Sequence, residues 1–437
     1  MEQRAQHAQP AVETSETQPD VQGERRAIGL LDRVAWRDAA IVWLLQRLAL
    51  ATLTYLVRWR IVPRPPNAPY PTGSELLHVW TNWDSAIYAT IAKSGYTHLT
   101  QAAFFPLFPL LERLLMPLTG GNAALAGLLI ANIACFGAFA LLRILVEREY
   151  GRTVARRTLL YLVLFPYSLF LAAAYAESLF LLLSVATFLA LRERRWWLAG
   201  LLAALATLTR PVGILLLLPL ALELIRKPHP QPPLLVGEGP RTNDSRLSEP
   251  GECLAPLSRA RGRGWGWGTF ALLLPILALV GFNLALAPRF GTLTATTMAQ
   301  QSGWGRHLSW PWDGLLSAAS ALPSGAPVLR FTVVLDIGWT LLFVVLALAT
   351  LRWLPLPYAL YACATAALVL LTPMHKPGLP WAALASNGRF LLVVFPIFML
   401  LARWSDGRRW LHLLIVALSL LLSVLLALAF ILGAFVA

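Results

Sequence analysis

The chain has 437 residues, 57% of them hydrophobic and only 13% charged, with a mean hydropathy of +0.62. A soluble globular domain carries about 25% charged residues, so composition excludes an ordinary water-soluble fold. The 36 Lys and Arg against 22 Asp and Glu leave +14, which does not call for nucleic acid, because polytopic membrane proteins gather basic residues in their cytoplasmic loops.

Residues 1–27 are polar, with no apolar core ahead of a small-residue cleavage site, and predict a disordered cytoplasmic tail rather than a signal peptide. An apolar run at 36–57 has roughly the 20 residues that cross a bilayer, as do those at 122–146, 266–287, 331–351 and 410–434. The run 158–191 is too long for one crossing and is broken at Phe165-Pro166 and at Tyr175-Ala176-Glu177-Ser178, predicting two short helices that meet at an outer turn. The run 197–225 is split in the same way at Thr209-Arg210-Pro211, and the pair 357–372 and 389–402 flanks a polar, Pro-containing stretch. The pattern predicts an all-α polytopic membrane protein of about eleven spans. Its N-terminal half is 28–226 and carries a structured outer loop at 58–121; its C-terminal half is 265–437. The Pro/Gly/Ser/Arg-rich stretch 227–264 between them reads as a disordered cytoplasmic loop.

With the N-terminus cytoplasmic, about twice as many Lys and Arg fall on inner segments as on outer ones, as the positive-inside rule requires. The C-terminus then lies outside. Cys135, Cys253 and Cys363 have neither CxxC nor Cys/His spacing, and the outer acids Glu75, Asp84, Glu112 and Asp313 form no spaced cluster. Neither a disulfide framework nor a metal or other cofactor is expected.

The outer loop is the most informative segment. In Trp83-Asp84-Ser85-Ala86-Ile87-Tyr88-Ala89-Thr90-Ile91, the residues Trp83, Ile87 and Ile91 recur every four positions, predicting a helix that Gly95 stops. At its start Asp84 could cap the helix, act chemically, or do both. The two prolines of Phe104-Phe105-Pro106-Leu107-Phe108-Pro109 predict a bent approach to the second span rather than regular helix.

Trp83-Asp84, Ile91-Ala92, Gly95-Tyr96, Ala103-Phe104-Phe105-Pro106 and Pro109 together resemble the first luminal loop of the PIG-V-like mannosyltransferases, members of the GT-C class of membrane glycosyltransferases. The likeness continues at Tyr175-Ala176-Glu177-Ser178-Leu179-Phe180, at Leu208-Thr209-Arg210-Pro211-Val212-Gly213, at Gln301 with Trp304, and at Arg389-Phe390 with Phe395-Pro396. It implies a GT-C-like bundle that transfers a sugar, mannose by the family name, from a polyprenyl-phosphate donor to a lipid, glycan or protein acceptor on the outer face of the cytoplasmic membrane. In it Asp84 is the general base. The chemistry is coherent, because the phosphate is already a fair leaving group and the protein need only take a hydroxyl proton and neutralise the departing anion.

Outer-facing cations at the ends of short spans, namely Arg389, Arg210, Lys376 and Arg306, are the candidates for the donor phosphate, and each also fits a headgroup anchor. Trp83, Tyr175, Glu177, Gln301, Trp304 and His375 are the candidates for other substrate contacts, with capping the alternative for Glu177. A transporter or flippase of a lipid-linked saccharide is the competing class. It would use ionisable residues inside spans, such as Arg47 and Asp336.

Overall fold

The computed structural model describes residues 29–63, 71–226, 264–323, 327–376 and 378–434. The tail expected at 1–27 lies outside these residues, and so does the loop expected at 227–264 apart from Gly264.

The described residues are helical, with no strand among them. Helix α1 (Arg33–Arg60) is started by Asp32, whose carboxylate accepts from the amides of Val34 and Ala35. The segment 58–121, expected to be an outer loop, holds α2 (Gly73–Val79), α3 (Asp84–Ser94) and α4 (Leu107–Leu115). Pro106 and Pro109 do not prevent a regular helix here. Pro106 stands before α4 and Pro109 in its first turn, where no amide hydrogen is needed. Then come α5 (Ala123–Tyr150), α6 (Arg152–Leu164), α7 (Glu177–Arg192), α8 (Trp196–Thr209) and α9 (Leu217–Ile225). The C-terminal half is α10 (Gly264–Phe290), α11 (Ala295–Trp304), α12 (Asp313–Ser320), α13 (Pro327–Trp353), α14 (Leu356–Leu371), α15 (Asn387–Leu392), α16 (Phe395–Ser405) and α17 (Arg409–Ile431).

Among the described residues, 5 helices are long and apolar enough to cross a membrane, namely α1, α5 and α17 with Phe270–Phe290 of α10 and Arg330–Trp353 of α13. A sixth crossing results if Pro380–Leu392 and Phe395–Ser405, bent by 67°, form one broken span. The other apolar helices α8, α9 and α14 are shorter, so the eleven runs of the sequence are not eleven full-length helices. Proline sets the breaks: 3₁₀ turns at Pro166–Leu171 and Pro211–Leu216 interrupt the runs 158–191 and 197–225 at the expected places. Leucines such as Leu44, Leu45 and Leu48 of α1 and Leu413, Leu414 and Leu421 of α17 are exposed, an outward apolar face suited to lipid.

Halfway along α1, Arg47 turns inward. Its Nη2 donates to the carbonyl of Leu171 at 2.9 Å, its Nε to the side chain of Asn132 on α5, and its Nη1 to the side-chain oxygen of Gln46. Gln46 in turn donates to the Ser168 hydroxyl at 3.1 Å, and Asn132 to the carbonyl of Ala172 at 3.2 Å. These bonds hold the broken backbone ahead of Glu177 against α1 and α5, where no water would otherwise satisfy it.

Candidate active site

Asp84 is the first residue of α3, one place inside the N-cap position, which Trp83 occupies. Capping is therefore not its role. The preceding Trp83 has φ 53° and ψ −115°, a left-handed conformation that costs a side-chain-bearing residue about 1–3 kcal/mol. It is held there by packing: Trp83 and Trp80 stack against Phe430 of α17, with ring centroids 5.0 and 5.6 Å away, and the Tyr175 hydroxyl donates to the carbonyl of Asn82 at 3.0 Å.

The Asp84 carboxylate instead accepts from Arg389 Nη1 at 2.9 Å on Oδ2. The same guanidinium donates through Nε, at 3.0 Å, and Nη2 to Oε1 of Glu177. Glu177, the first residue of α7, is only 1% exposed, and the same oxygen lies 2.8 Å from Arg210 Nη1. Arg389 is packed on the rings of Phe170 and Tyr175, at 4.8 and 5.0 Å. Its turn is possible because Gly388 has no side chain: a Cβ there would lie 2.1 Å from the Tyr167 ring. Four short elements, from α3, α7, α8 and α15, thus deliver Asp84, Glu177, Arg210 and Arg389 to one point.

This array forms part of the wall of a cavity of about 900 Å³. Asp84, Arg210, Arg306 and Arg389 line it, as do Gln301 and Trp304. Glu177 lies behind the wall and fixes the two arginines. Trp83 and Tyr175 are not among the lining residues either, because their rings are spent on the packing that shapes the Asp84 turn. His375 is one step back, its ring 4.5 Å from that of the cavity-lining His307. Lys376 is exposed and outside the lining.

Three arginines meet two carboxylates here, and the surplus charge belongs to Arg306. It donates to the carbonyl of Thr372 at 3.1 Å and lies over Phe390 at 5.5 Å, with no carboxylate in ion-pair range among the described residues. Burial, and then the neighbouring Arg210 and Arg389, push its pKa down to about 10, so at neutral pH it is still a cation and lacks a counter-charge. No group of three or more His, Cys, Asp and Glu side chains among the described residues could hold a metal ion.

Sequence reasoning missed Tyr88 and Phe390. Tyr88 lines the cavity four residues after Asp84, a spacing that places both on one helical face. Phe390, which carries both Arg210 and Arg306 on its ring at 5.4 and 5.5 Å, gave no signal beyond its place next to Arg389.

Residues 70–227 match the mannosyltransferase (PIG-V) family. The segment is PIG-V-like. It is 33% identical over 166 residues to the GPI alpha-1,6-mannosyltransferase 2 of Rattus norvegicus, a match covering 34% of this chain and 34% of that protein. The GPI alpha-1,6-mannosyltransferase 2 of Homo sapiens is 34% identical over 149 residues, covering 32% and 30%, and the GPI mannosyltransferase 2 of Chaetomium globosum 31% over 198 residues, covering 36% and 41%. The chain thus spans about a third of the length of the curated relatives it matches. No solved structure matches it. The PIG-V-like segment contains Asp84, Glu177 and Arg210; Arg306 and Arg389 lie beyond it.

Proposed function

We propose that the chain is an inverting membrane mannosyltransferase that takes its sugar from a polyprenyl-phosphate donor and passes it to an acceptor hydroxyl at the outer face. The observation that carries this reading is the pairing of a cavity-facing carboxylate, Asp84, with an uncompensated arginine, Arg306, across one cavity.

Arg306 takes the donor phosphate, with Arg210 beside it on Phe390. Arg389 already spends three nitrogens on Asp84 and Glu177, so its part is to orient the base. With Oδ2 held by Arg389, Asp84 Oδ1 receives the proton of the acceptor hydroxyl. The hydroxyl oxygen bonds to the anomeric carbon, the bond from that carbon to the phosphate oxygen breaks, and its electron pair leaves on the phosphate that Arg306 neutralises. One displacement inverts the anomeric centre. The isoprenoid chain fits the apolar part of the lining, where Val280, Leu284 and Leu293 both line the cavity and are exposed on the protein surface. The transporter reading is weaker, because Arg47 is bonded to three fixed partners rather than free in a pathway.

The test is purified protein with radiolabelled polyprenyl-phosphate-mannose and a membrane lipid extract. Label should move to a new product and Asp84→Asn should stop it. Donor that binds but is never consumed, whatever acceptor is offered, would sink the proposal.

A further inference from the structure

A second, smaller cavity of about 280 Å³ adjoins the first. Phe104 and Trp304 belong to both linings, their ring centroids 5.7 Å apart, so the two rings form the partition. Helix α3 runs beside both: Asp84 faces the large cavity and Thr90 the small one, about 9 Å further along the helix axis.

The two linings differ in charge. Arg210, Arg306 and Arg389 line the large cavity, whereas no Asp, Glu, Lys or Arg lines the small one. Its polar side chains are Thr90, His98, Thr100 and Gln101. Gln101 is only 8% exposed, and its Oε1 accepts from the Thr97 and His98 amides at 2.7 and 3.1 Å. The side-chain amide nitrogen of Gln101 is thereby oriented as a donor. Thr90 gives its own proton to the Ala86 carbonyl at 2.8 Å, which leaves its oxygen lone pairs as acceptors. Two aromatic faces beside neutral donors and acceptors suit a sugar ring, which offers C–H bonds on its faces and hydroxyls at its rim. An anion would gain nothing there. The volume falls just below the roughly 300–1,000 Å³ of ligand pockets for drug-sized molecules, enough for about one ring rather than a chain.

Resting on the transferase reading above, we propose that this neutral cavity is the acceptor subsite, and that it takes one uncharged sugar residue of the acceptor while the large cavity takes the phosphate-bearing donor. Phe104 and Trp304 then divide acceptor from donor beside the helix that carries Asp84. The selectivity follows from charge alone: each substrate is excluded from the other's site by the group it would leave unpaired.

Thr90→Phe fills the small cavity and touches none of the ion-paired side chains; Thr90→Val keeps the volume and removes only the hydroxyl. The probe is octyl α-mannoside, a neutral glycoside, offered with radiolabelled polyprenyl-phosphate-mannose. The parent should transfer label to it, and Thr90→Phe should need roughly tenfold more probe for half-maximal transfer, with Thr90→Val between the two. Retention of the donor on a filter should stay within about twofold of the parent in both variants. The same glycoside carrying a photoreactive diazirine should label the peptide 86–104 of the parent, and polyprenyl phosphate should not protect it. A Thr90→Phe variant that saturates like the parent, or photolabel confined to residues of the large cavity alone, overturns the subsite. A parent that binds donor and transfers to nothing overturns the transferase reading itself and this one with it.

Discussion

Arg306 and Arg389 both line one cavity, but they are bonded to different things, and their substitutions should separate. Arg306→Gln removes a cation whose partners are a carbonyl and a ring. The fold should hold its thermal midpoint while donor affinity falls by about 10- to 100-fold, the range for a charge-assisted hydrogen bond. Arg389→Ala strips Asp84 of its hydrogen-bonded cation and leaves buried Glu177 with Arg210 alone, and breaking a buried ion pair from one side costs about 3–5 kcal/mol. Its thermal midpoint in detergent should drop along with turnover. The opposite pattern, a stable Arg389→Ala and an unstable Arg306→Gln, would reverse the roles. For Asp84→Asn the expectation is a folded protein that retains donor and loses about 10²- to 10⁴-fold in turnover; wild-type turnover would remove Asp84 from the mechanism. Away from the site, Glu112 on α4 is fully buried with neither carboxylate oxygen hydrogen-bonded, and burial raises its pKa from 4.5 to about 9. Between those values the unfolded chain releases this proton and the folded chain keeps it, so the contribution of Glu112 to stability falls as pH rises. Glu112→Gln should accordingly gain more in thermal midpoint over the parent at pH 8.5 than at pH 5.5, and an equal difference at both would show that the carboxyl is not held protonated.

At the scale of elements, the site depends on helices that stop short. Glu177 begins α7, Arg210 ends α8 and Arg389 lies in the short α15; a continuous span at any of these places would carry the side chain past the cavity. The breaks were legible in the sequence because proline announces them at Pro166 and Pro211, and the helix ending at Gly95 was legible because glycine adopts the φ of 71° found there. The ion-paired array was not legible. Asp84 and Glu177 stand 305 and 212 residues from Arg389, and no local pattern encodes a contact at that separation. For the same reason Arg389 reads from sequence as one candidate for the donor phosphate, with no sign of its bonds to Asp84 and Glu177. The left-handed Trp83 was also hidden, since its cause is packing on Phe430 at the far end of the chain. The approach of Gly388 to Tyr167 gives this scale its own test: Gly388→Ala should displace Arg389 and abolish activity, and Tyr167→Ala in the same chain should restore part of it by making room for the added methyl. No recovery in the double variant would mean that the turn depends on something other than that contact.

At the scale of the whole molecule, the prediction concerns sidedness. Lys93 at the end of α3 and Arg194 between α7 and α8 are both exposed, and the positive-inside rule predicts them on opposite faces of the membrane. With Cys253 replaced by Ser, a membrane-impermeant maleimide should label Lys93→Cys in intact cells and Arg194→Cys only after the cells are opened; the reverse pattern would move the cavity lined by Asp84 to the cytoplasmic face. The Arg47 network has a consequence of another kind, for how the chain is made. An arginine at the middle of a helix costs about 2.5–3.5 kcal/mol to insert into the bilayer, and here the groups that satisfy it, Asn132 and the carbonyl of Leu171, emerge from the ribosome 85 and 124 residues later. On its own, then, α1 should be a hesitant guest of the membrane. A nascent chain halted just after α1 should remain extractable by alkali, and one halted beyond residue 172 should not.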